Sequence, residues 1–289
     1  MPKTKTHTLD APGAVLTYDI HEPSKPGGHP PLFIFGSPMR ASGFEQLVSQ
    51  FDDRTVVTYD PRMMERSHLK EGGEVTVEIH GDDIHRVAEA AGLGPVDAFA
   101  SSGGASAALP WVVEHPDEIR TLVAHEPPLA VLLADSEMIL RVNADIVDTY
   151  RRRGFGLAMA KFIRLVMHPG PLPADYLDQP DPDPGQFGLP TEDDGSRDDP
   201  LLAFNMAMPP YRPDAEALHS SGVRIVPAIG TEGEGTMARR GGEAFASLLG
   251  TAPVVFPGDH GGFAVNEWTP GNDPAAFAEK LREVLDIGG

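Results

Sequence analysis

The sequence predicts an α/β protein with a mostly parallel central sheet flanked by helices, and a mainly helical segment inserted into it. Three observations carry that reading. Short apolar runs rich in Val, Ile and Phe recur along the chain and end in Gly, Pro or Asp, as strands buried on both faces do. Helical stripes, with apolar residues three or four apart, alternate with those runs. One long stretch without a strand signal, residues 127–213, interrupts the alternation.

In chain order, residues 13–20 (GAVLTYDI) alternate like a half-buried strand, and 31–35 (PLFIF) form an apolar run closed by Gly36. Residues 55–59 (TVVTY) end at Asp60, and 96–100, 121–124, 223–229 and 253–256 complete the strand set. Ile84, Val87, Ala88 and Ala91 share one helical face, and Phe277, Leu281, Val284 and Leu285 share another. The second of these helices starts from Asn272 or Asp273 as its cap, with Pro274 in the first turn. Right-handed crossovers between parallel strands place the strand C-terminal ends on one edge, where open α/β sheets bind ligands.

Residues 138–153 and 157–167 read as helices, followed by the Pro/Asp-rich run QPDPDPGQFGLPTEDDGSRDDP. A long acidic stretch inside a compact domain is commonly a lid or an excursion. The expectation is a core domain of residues 1–126 and 214–289, with 127–213 inserted as a cap. The alternative is a surface loop that packs on nothing.

The bulk properties narrow the function. With 289 residues, 40% of them hydrophobic, the chain can bury one large core or a core plus a cap. Its 43 acidic against 23 basic residues give a formal charge of -20, which argues against nucleic acid or an anionic membrane as partner. The absence of cysteine excludes disulfides, Cys-based zinc sites and thiol nucleophiles. No apolar signal-like segment opens the sequence, and no apolar run reaches the roughly 18 residues needed to span a bilayer. A cytoplasmic location is therefore expected, and homo-oligomerisation is left open.

The chemistry is carried by three places. Residues 96–100 run into Ala100-Ser101-Ser102-Gly103-Gly104 and then a helical stretch. This small-x-Ser-x-Gly pattern centres on Ser102, as a nucleophile elbow requires, because its backbone is strained and strand and helix approach closely. Taking Ser101 instead would put Phe99 where a small residue is needed. The bland alternative is a strand–helix loop whose serine caps the helix.

With Ser102 in that setting, the chain resembles the α/β-hydrolase family over nearly its whole length. FGSP, residues 35–38, stands where that family carries an HG-x motif, with Phe35 in place of the His. YDPR, residues 59–62, resembles the family's YDxRGxGRS stretch but continues with Met63 and Met64. The resemblance implies an oxyanion hole made by the N–H groups of Gly103 and Ser37, with Gly36 close behind; Pro38 has no N–H to offer. Each such preorganised donor supplies about 3 kcal/mol of transition-state stabilisation. It also implies a base in a loop after the last strand, where His260 sits in PGDHGGF. A loop histidine bonded only to its own turn is the alternative. His80, His85, His115, His168 and His219 read as structural or solvent-facing.

The triad acid has rival candidates. The usual register, after the strand before the last, falls on Gly233, flanked by Glu232 and Glu234. Glu126 follows the strand after the elbow helix, in RTLVAHEPP, and this run is similar to that of the zearalenone-lactonase group, whose acid is a Glu at that point. Glu126 is favoured; Glu232, Glu234 and Asp259 stay open, and a helix N-terminal acid is its plain alternative.

The expected reaction is acyl transfer from a small-molecule ester or lactone to water through an acyl-enzyme, with no metal or organic cofactor required. The resemblance extends this to a macrolactone such as zearalenone. Met138, Leu157, Phe162, Met167, Phe187, Phe204 and Met208 are candidate lining residues, since mixed Met and Phe suit a large apolar ligand. Packing within the cap itself is the alternative for each. A lyase keeping the Ser–His pair and a non-catalytic binder remain as rival functions. Dehalogenases and epoxide hydrolases on this fold would need Asp where Ser102 stands.

Overall fold

The structure is a computed structural model that describes residues 3–25, 27–267 and 269–286. Its strands are β1 (Lys3–Ala11), β2 (Ala14–Glu22), β3 (Leu32–Ser37), β4 (Val56–Asp60), β5 (His68–Leu69), β6 (Val96–Ser102), β7 (Ile119–His125), β8 (Arg224–Gly230) and β9 (Val254–Phe256). Its α-helices are α1 (Glu45–Val48), α2 (Val77–Ala90), α3 (Gly103–Glu114), α4 (Ser136–Arg153), α5 (Phe155–Val166), α6 (Ala215–Ser220), α7 (Met237–Leu248) and α8 (Pro274–Asp286). None is long and apolar enough to cross a membrane, among the described residues.

The strands form one sheet in the order β1-β2-β4-β3-β6-β7-β8-β9, with β5 paired to β2. Pairing is antiparallel from β1 to β4 and parallel from β4 to β9. The seven strands expected from the apolar runs are all present. The two additional ones, β1 and β5, carry no apolar signal. Strand β1 is exposed along nearly its whole length, so no face of it needs apolar residues. Backbone pairing with β2 through a tight turn at Gly13 (φ 74°) holds it instead.

The period of two along β3 shows how one apolar run serves two cores. Phe33 and Phe35 pack with Leu16, Tyr59, Ile84, Trp111 and Phe245 on one side of the sheet. Leu32 and Ile34 pack with Phe99, Val123, Phe256, Phe277 and Leu281 on the other. All four β3 side chains are fully buried. Helix α2 is capped by Thr76, whose hydroxyl accepts from the Ile79 N–H. Of the two candidate caps for α8, Asp273 does the capping, accepting from the N–H groups of Ala275 and Ala276. Asn272 instead donates to Asp259 and to the Ala264 carbonyl.

Residues 127–213 contain no strand among the described residues. Helices α4 and α5 and a π-helical turn (Pro200–Asn205) share an apolar cluster that includes Ile139, Val142, Ile146, Tyr150, Leu165 and Leu202. The acidic run is not a free loop. Asp181 pairs with Arg153 and Lys161, Asp193 pairs with Arg197, and the Asp199 N–H donates to the Tyr150 hydroxyl. The segment is fastened to the rest of the chain by the Asp135–Arg240 ion pair and by a hydrogen bond from Asn205 to Ser37.

Candidate active site

Ser102 ends β6 and immediately precedes α3, with φ 56° and ψ -131°. An L-residue held in that region is strained, and such strain persists only where surrounding structure imposes it. Here two glycines let the neighbouring chain come in. A Cβ on Gly103 would lie 2.6 Å from the Ser37 carbonyl oxygen, and one on Gly104 would lie 2.6 Å from the Gly36 Cα. The first turn of α3 is thereby pressed against β3, and Ser37 becomes the direct neighbour of Ser102 across the sheet. Ala100 is fully buried, so the methyl group at that position of the motif is accommodated. Ser101 is fully buried as well, whereas Ser102 reaches the cavity wall.

His260 lies in the turn after β9, and Glu126 follows β7 directly. The two meet: His260 Nδ1 is 2.7 Å from Glu126 Oε2. Glu126 is 1% exposed, and its other oxygen accepts from the Gly230 N–H at 2.9 Å. Its own backbone is turned, at φ 47°, and its N–H donates to the Ala228 carbonyl. Two helix glycines make room for this turn. A Cβ on Gly241 of α7 would strike the Pro127 carbonyl oxygen at 2.4 Å, and one on Gly242 would stand 3.5 Å from the Glu126 Cα. Burial by itself would raise the carboxyl's pKa. The hydrogen bond with His260, neighbouring imidazole charge and the Gly230 N–H outweigh it and hold the group below the usual range, so it is an anion at neutral pH.

Two of the rival acids, Glu232 and Asp259, line the same cavity as His260. Glu232 and Glu234 are exposed, and neither is bonded to His260. Asp259 accepts from the Gly261 N–H and from Asn272. His125, directly before Glu126, is fully buried among Phe99, Phe256, Phe263 and Phe277, 6.2 Å centroid to centroid from the His260 ring. Neither of its ring nitrogens has a partner among the described residues, and burial pushes its pKa down to about 4. It stands neutral beside the pair at neutral pH.

Ser102, Gly103, Ser37 and His260 all line a cavity of about 990 Å³. No hydrogen bond joins the Ser102 hydroxyl to His260 among the described residues, although they share this wall; such bonds commonly tighten only once substrate is bound. Gly36 lies beneath the wall, under Gly104, which leaves Ser37 as the β3 residue facing the cavity.

Of the seven lining candidates, Phe162 and Met208 are on the wall. The other five are not, and the helical period explains most of them. On α4 the cavity face is Leu140, Asn143, Ala144, Val147 and Arg151, while Met138 packs into the cluster behind it. On α5 the cavity face is Phe162 and Val166; Leu157 is buried away from it, and Met167 is 67% exposed. Phe187 sits in a short 3-10 turn outside the wall, and Phe204 turns away while Leu201, Asn205 and Met206 of the same stretch face inward.

Asn205 was not legible in the sequence. Its amide donates to the Ser37 hydroxyl at 3.0 Å, and its nitrogen would stand 3.4 Å from a Cβ on Gly103. It thus reaches from the 127–213 segment to Ser37 and Gly103, which line the cavity beside Ser102. The YDPR stretch has a structural task instead. Arg62 makes a buried two-pronged ion pair with Asp83, Asp60 accepts from the Ala41 N–H, and Met63 and Met64 are buried.

No family model matches the sequence. The chain is 28% identical over 287 residues to YraK of Bacillus subtilis, described as an uncharacterized hydrolase, covering 96% of this chain and 95% of that protein. Among solved structures it is similar to a thermophilic esterase from Thermogutta terrifontis, with a TM-score of 0.66 and 18% identity over 99% of this chain and 98% of that one. It is also similar to the naproxen esterase of Bacillus subtilis, at TM-score 0.63 and 13% identity over 99% and 92% of the two chains. A third is the enol-lactonase of Burkholderia xenovorans, at TM-score 0.63 and 18% identity over 96% and 99%. The chain has the α/β-hydrolase fold.

Proposed function

We propose that this protein is a serine hydrolase acting on bulky, largely apolar carboxylic esters or lactones. The observation that carries the proposal is the hydrogen bond between the buried Glu126 and His260, set on the same cavity as the strained Ser102. The esterase and lactonase descriptions of its structural neighbours accord with that chemistry.

In this mechanism Glu126 holds the proton on His260 Nδ1, which leaves Nε2 free to act as base. His260 takes the Ser102 proton as Oγ attacks the substrate carbonyl. The resulting oxyanion is met by the N–H of Gly103, which as the first residue of α3 has no helical acceptor, and by that of Ser37. The imidazolium, stabilised by Glu126, returns its proton to the departing alkoxide, and the acyl-enzyme remains. Water then attacks that ester with His260 again as base, and Ser102 regains its proton as the acid leaves. With a lactone, alcohol and acid leave as one opened chain.

Residues 127–213 act as a cap in this reading. They present Leu140, Val147, Phe162, Val166 and Met206 to the substrate. A cavity of about 990 Å³ with so many apolar residues suits a ligand of macrolactone size, and zearalenone is the compound with which to probe it. Asn205 serves as a positioning residue, steadying the β3 end through the Ser37 hydroxyl.

The test is labelling with a fluorophosphonate, followed by peptide mass analysis and a screen of esters and lactones. Wild type should carry the adduct on Ser102, and labelling should collapse in Glu126→Gln. Absence of any adduct would favour a non-catalytic binder. Hydrolysis of short esters with no ring opening of the macrolactone would reject the large-lactone substrate.

A further inference from the structure

A second cluster of ionisable side chains lies away from Ser102, where α2 packs on the end of α3. Helix α3 stops at His115, whose φ of -133° and ψ of 55° leave the helical region, and Pro116 follows. A short 3-10 turn (Pro116–Glu118) then brings Glu118 back, its N–H donating to the His115 carbonyl. His85 reaches the same point from α2. Its Nδ1 is 2.8 Å from Glu118 Oε1, and His115 Nδ1 is 4.0 Å from that oxygen. The two imidazoles lie 3.6 Å apart, 4° from parallel.

We infer that His85, His115 and Glu118 form a binding site for one divalent transition-metal ion of the zinc, copper(II) or nickel(II) class. Three donor atoms, two imidazole nitrogens and one carboxylate oxygen, lie within 4.8 Å of one another. Such a mixed nitrogen–oxygen set suits these ions rather than calcium or magnesium, which take oxygen ligands. The carboxylate is held ready: the indole N–H of the fully buried Trp111 donates to Glu118 Oε2 at 2.7 Å, which leaves Oε1 to the ion. An outer donor of this kind orients a ligand. The three side chains are 19%, 31% and 29% exposed, so an ion has a way in and water can complete its coordination.

Binding asks for one adjustment. Parallel rings do not aim their lone pairs at a common point, so one ring must tilt. His115, at a helix end and the most exposed of the three, is the one placed to do it. The ion takes the place of the direct His85–Glu118 contact. Helix α3 has twelve residues, about 18 Å of axis, between this cluster and Ser102, so the ion does not enter the acyl-transfer chemistry. Its effect is to clamp α2 to the turn after α3.

The experiment uses the full chain, stripped with a chelator and dialysed, then titrated with Zn²⁺ by calorimetry and followed by thermal unfolding. Wild type should take up one ion per chain at micromolar affinity or tighter, with Tm rising by several degrees. Affinity should fall at least tenfold in both His115→Ala and Glu118→Gln. Cu²⁺-loaded protein should show coupling to two imidazole nitrogens by electron paramagnetic resonance, reduced to one in His115→Ala. Circular dichroism and fluorophosphonate labelling of Ser102 report that the variants are folded. Absence of uptake by wild type at roughly millimolar Zn²⁺, or a loss smaller than tenfold in either folded variant, overturns the site.

Discussion

Two histidine–glutamate pairs, Glu126–His260 and Glu118–His85, are made from the same parts. In each, an imidazole Nδ1 lies within 2.8 Å of a glutamate oxygen, and an N–H donor holds the other oxygen: Gly230 for Glu126, the Trp111 indole for Glu118. The surroundings differ. Glu126 has a side chain 1% exposed, while Glu118 is 29% exposed. His260 borders a large cavity that it shares with Ser102, whereas His85 is stacked on a second imidazole. A buried carboxylate bonded to a single imidazole acts on that ring in a poorly screened setting, which is what a general base needs. A half-exposed carboxylate facing two rings is instead a set of ligands. The pair alone does not define the task; burial and the next neighbour do.

Substitutions at the two sites put that contrast at risk. The largest effect is expected from Ser102→Ala, which should abolish fluorophosphonate labelling and lower ester turnover by about 10⁴-fold or more. Glu126→Gln keeps the size of the acid but removes its charge, and should lower kcat by about 10³- to 10⁴-fold. The matching change in the other pair, Glu118→Gln, should leave ester turnover within about twofold, because it lies outside the cavity. Equal losses in the two glutamine variants, measured with one ester substrate, would erase the distinction between the pairs.

Acid should act on the surroundings of the Glu126–His260 pair as well. His125 has a folded pKa near 4 against 6.5 for an unperturbed ring. Between these values the unfolded chain binds a proton that the native state refuses, so stability falls as pH drops from 6.5 to 4, by about 3 kcal/mol from this one group. Glu126 works in the other window: its depressed pKa contributes stability above its unfolded value of 4.5, lost only as pH falls through the lower folded value. In His125→Phe, which places a ring among rings, urea unfolding at pH 5 and pH 8 should show a clearly shallower pH dependence than wild type. An unchanged slope would mean that the buried ring takes up its proton as readily in the native state as in the unfolded chain.

A loss smaller than those of Ser102→Ala and Glu126→Gln is expected from Asn205→Ala. Losing its hydrogen bond to Ser37 should lower kcat about tenfold, with KM changed far less. A rise in KM with kcat intact would make Asn205 a contact for substrate instead of a support for the β3 end.

Much of this architecture is legible in the amino-acid sequence alone. The runs that form β3, β4, β6, β7 and β8 are buried on nearly every residue, and such strands must be apolar on both faces, so they announce themselves. Strand β1 escapes because its solvated side chains meet β2 mostly through polar contacts, and backbone pairing with β2 needs no apolar pattern. Ser102 is legible because the elbow imposes small residues beside it, and Glu126 because it directly follows a strand that must end at the active edge. The wall of the cavity is legible only in part. Met and Phe mark apolar surface, yet whether Phe162 or Leu157 faces the cavity depends on the rotation of α5 against its neighbours. Asn205 leaves no signal at all, since its partner Ser37 is 168 residues away.

The alternation of strand and helix, the strained serine turn with its glycines, and the residue types available for acid and base were all set by local pattern. They depend on periodicity, backbone freedom and functional group, each of which a short stretch of chain carries within itself. The pairing of His260 with Glu126 and not Glu232, and the convergence of His85, His115 and Glu118, came only with the folded chain. Those outcomes rest on side chains far apart along the sequence, brought together by packing that no local pattern encodes.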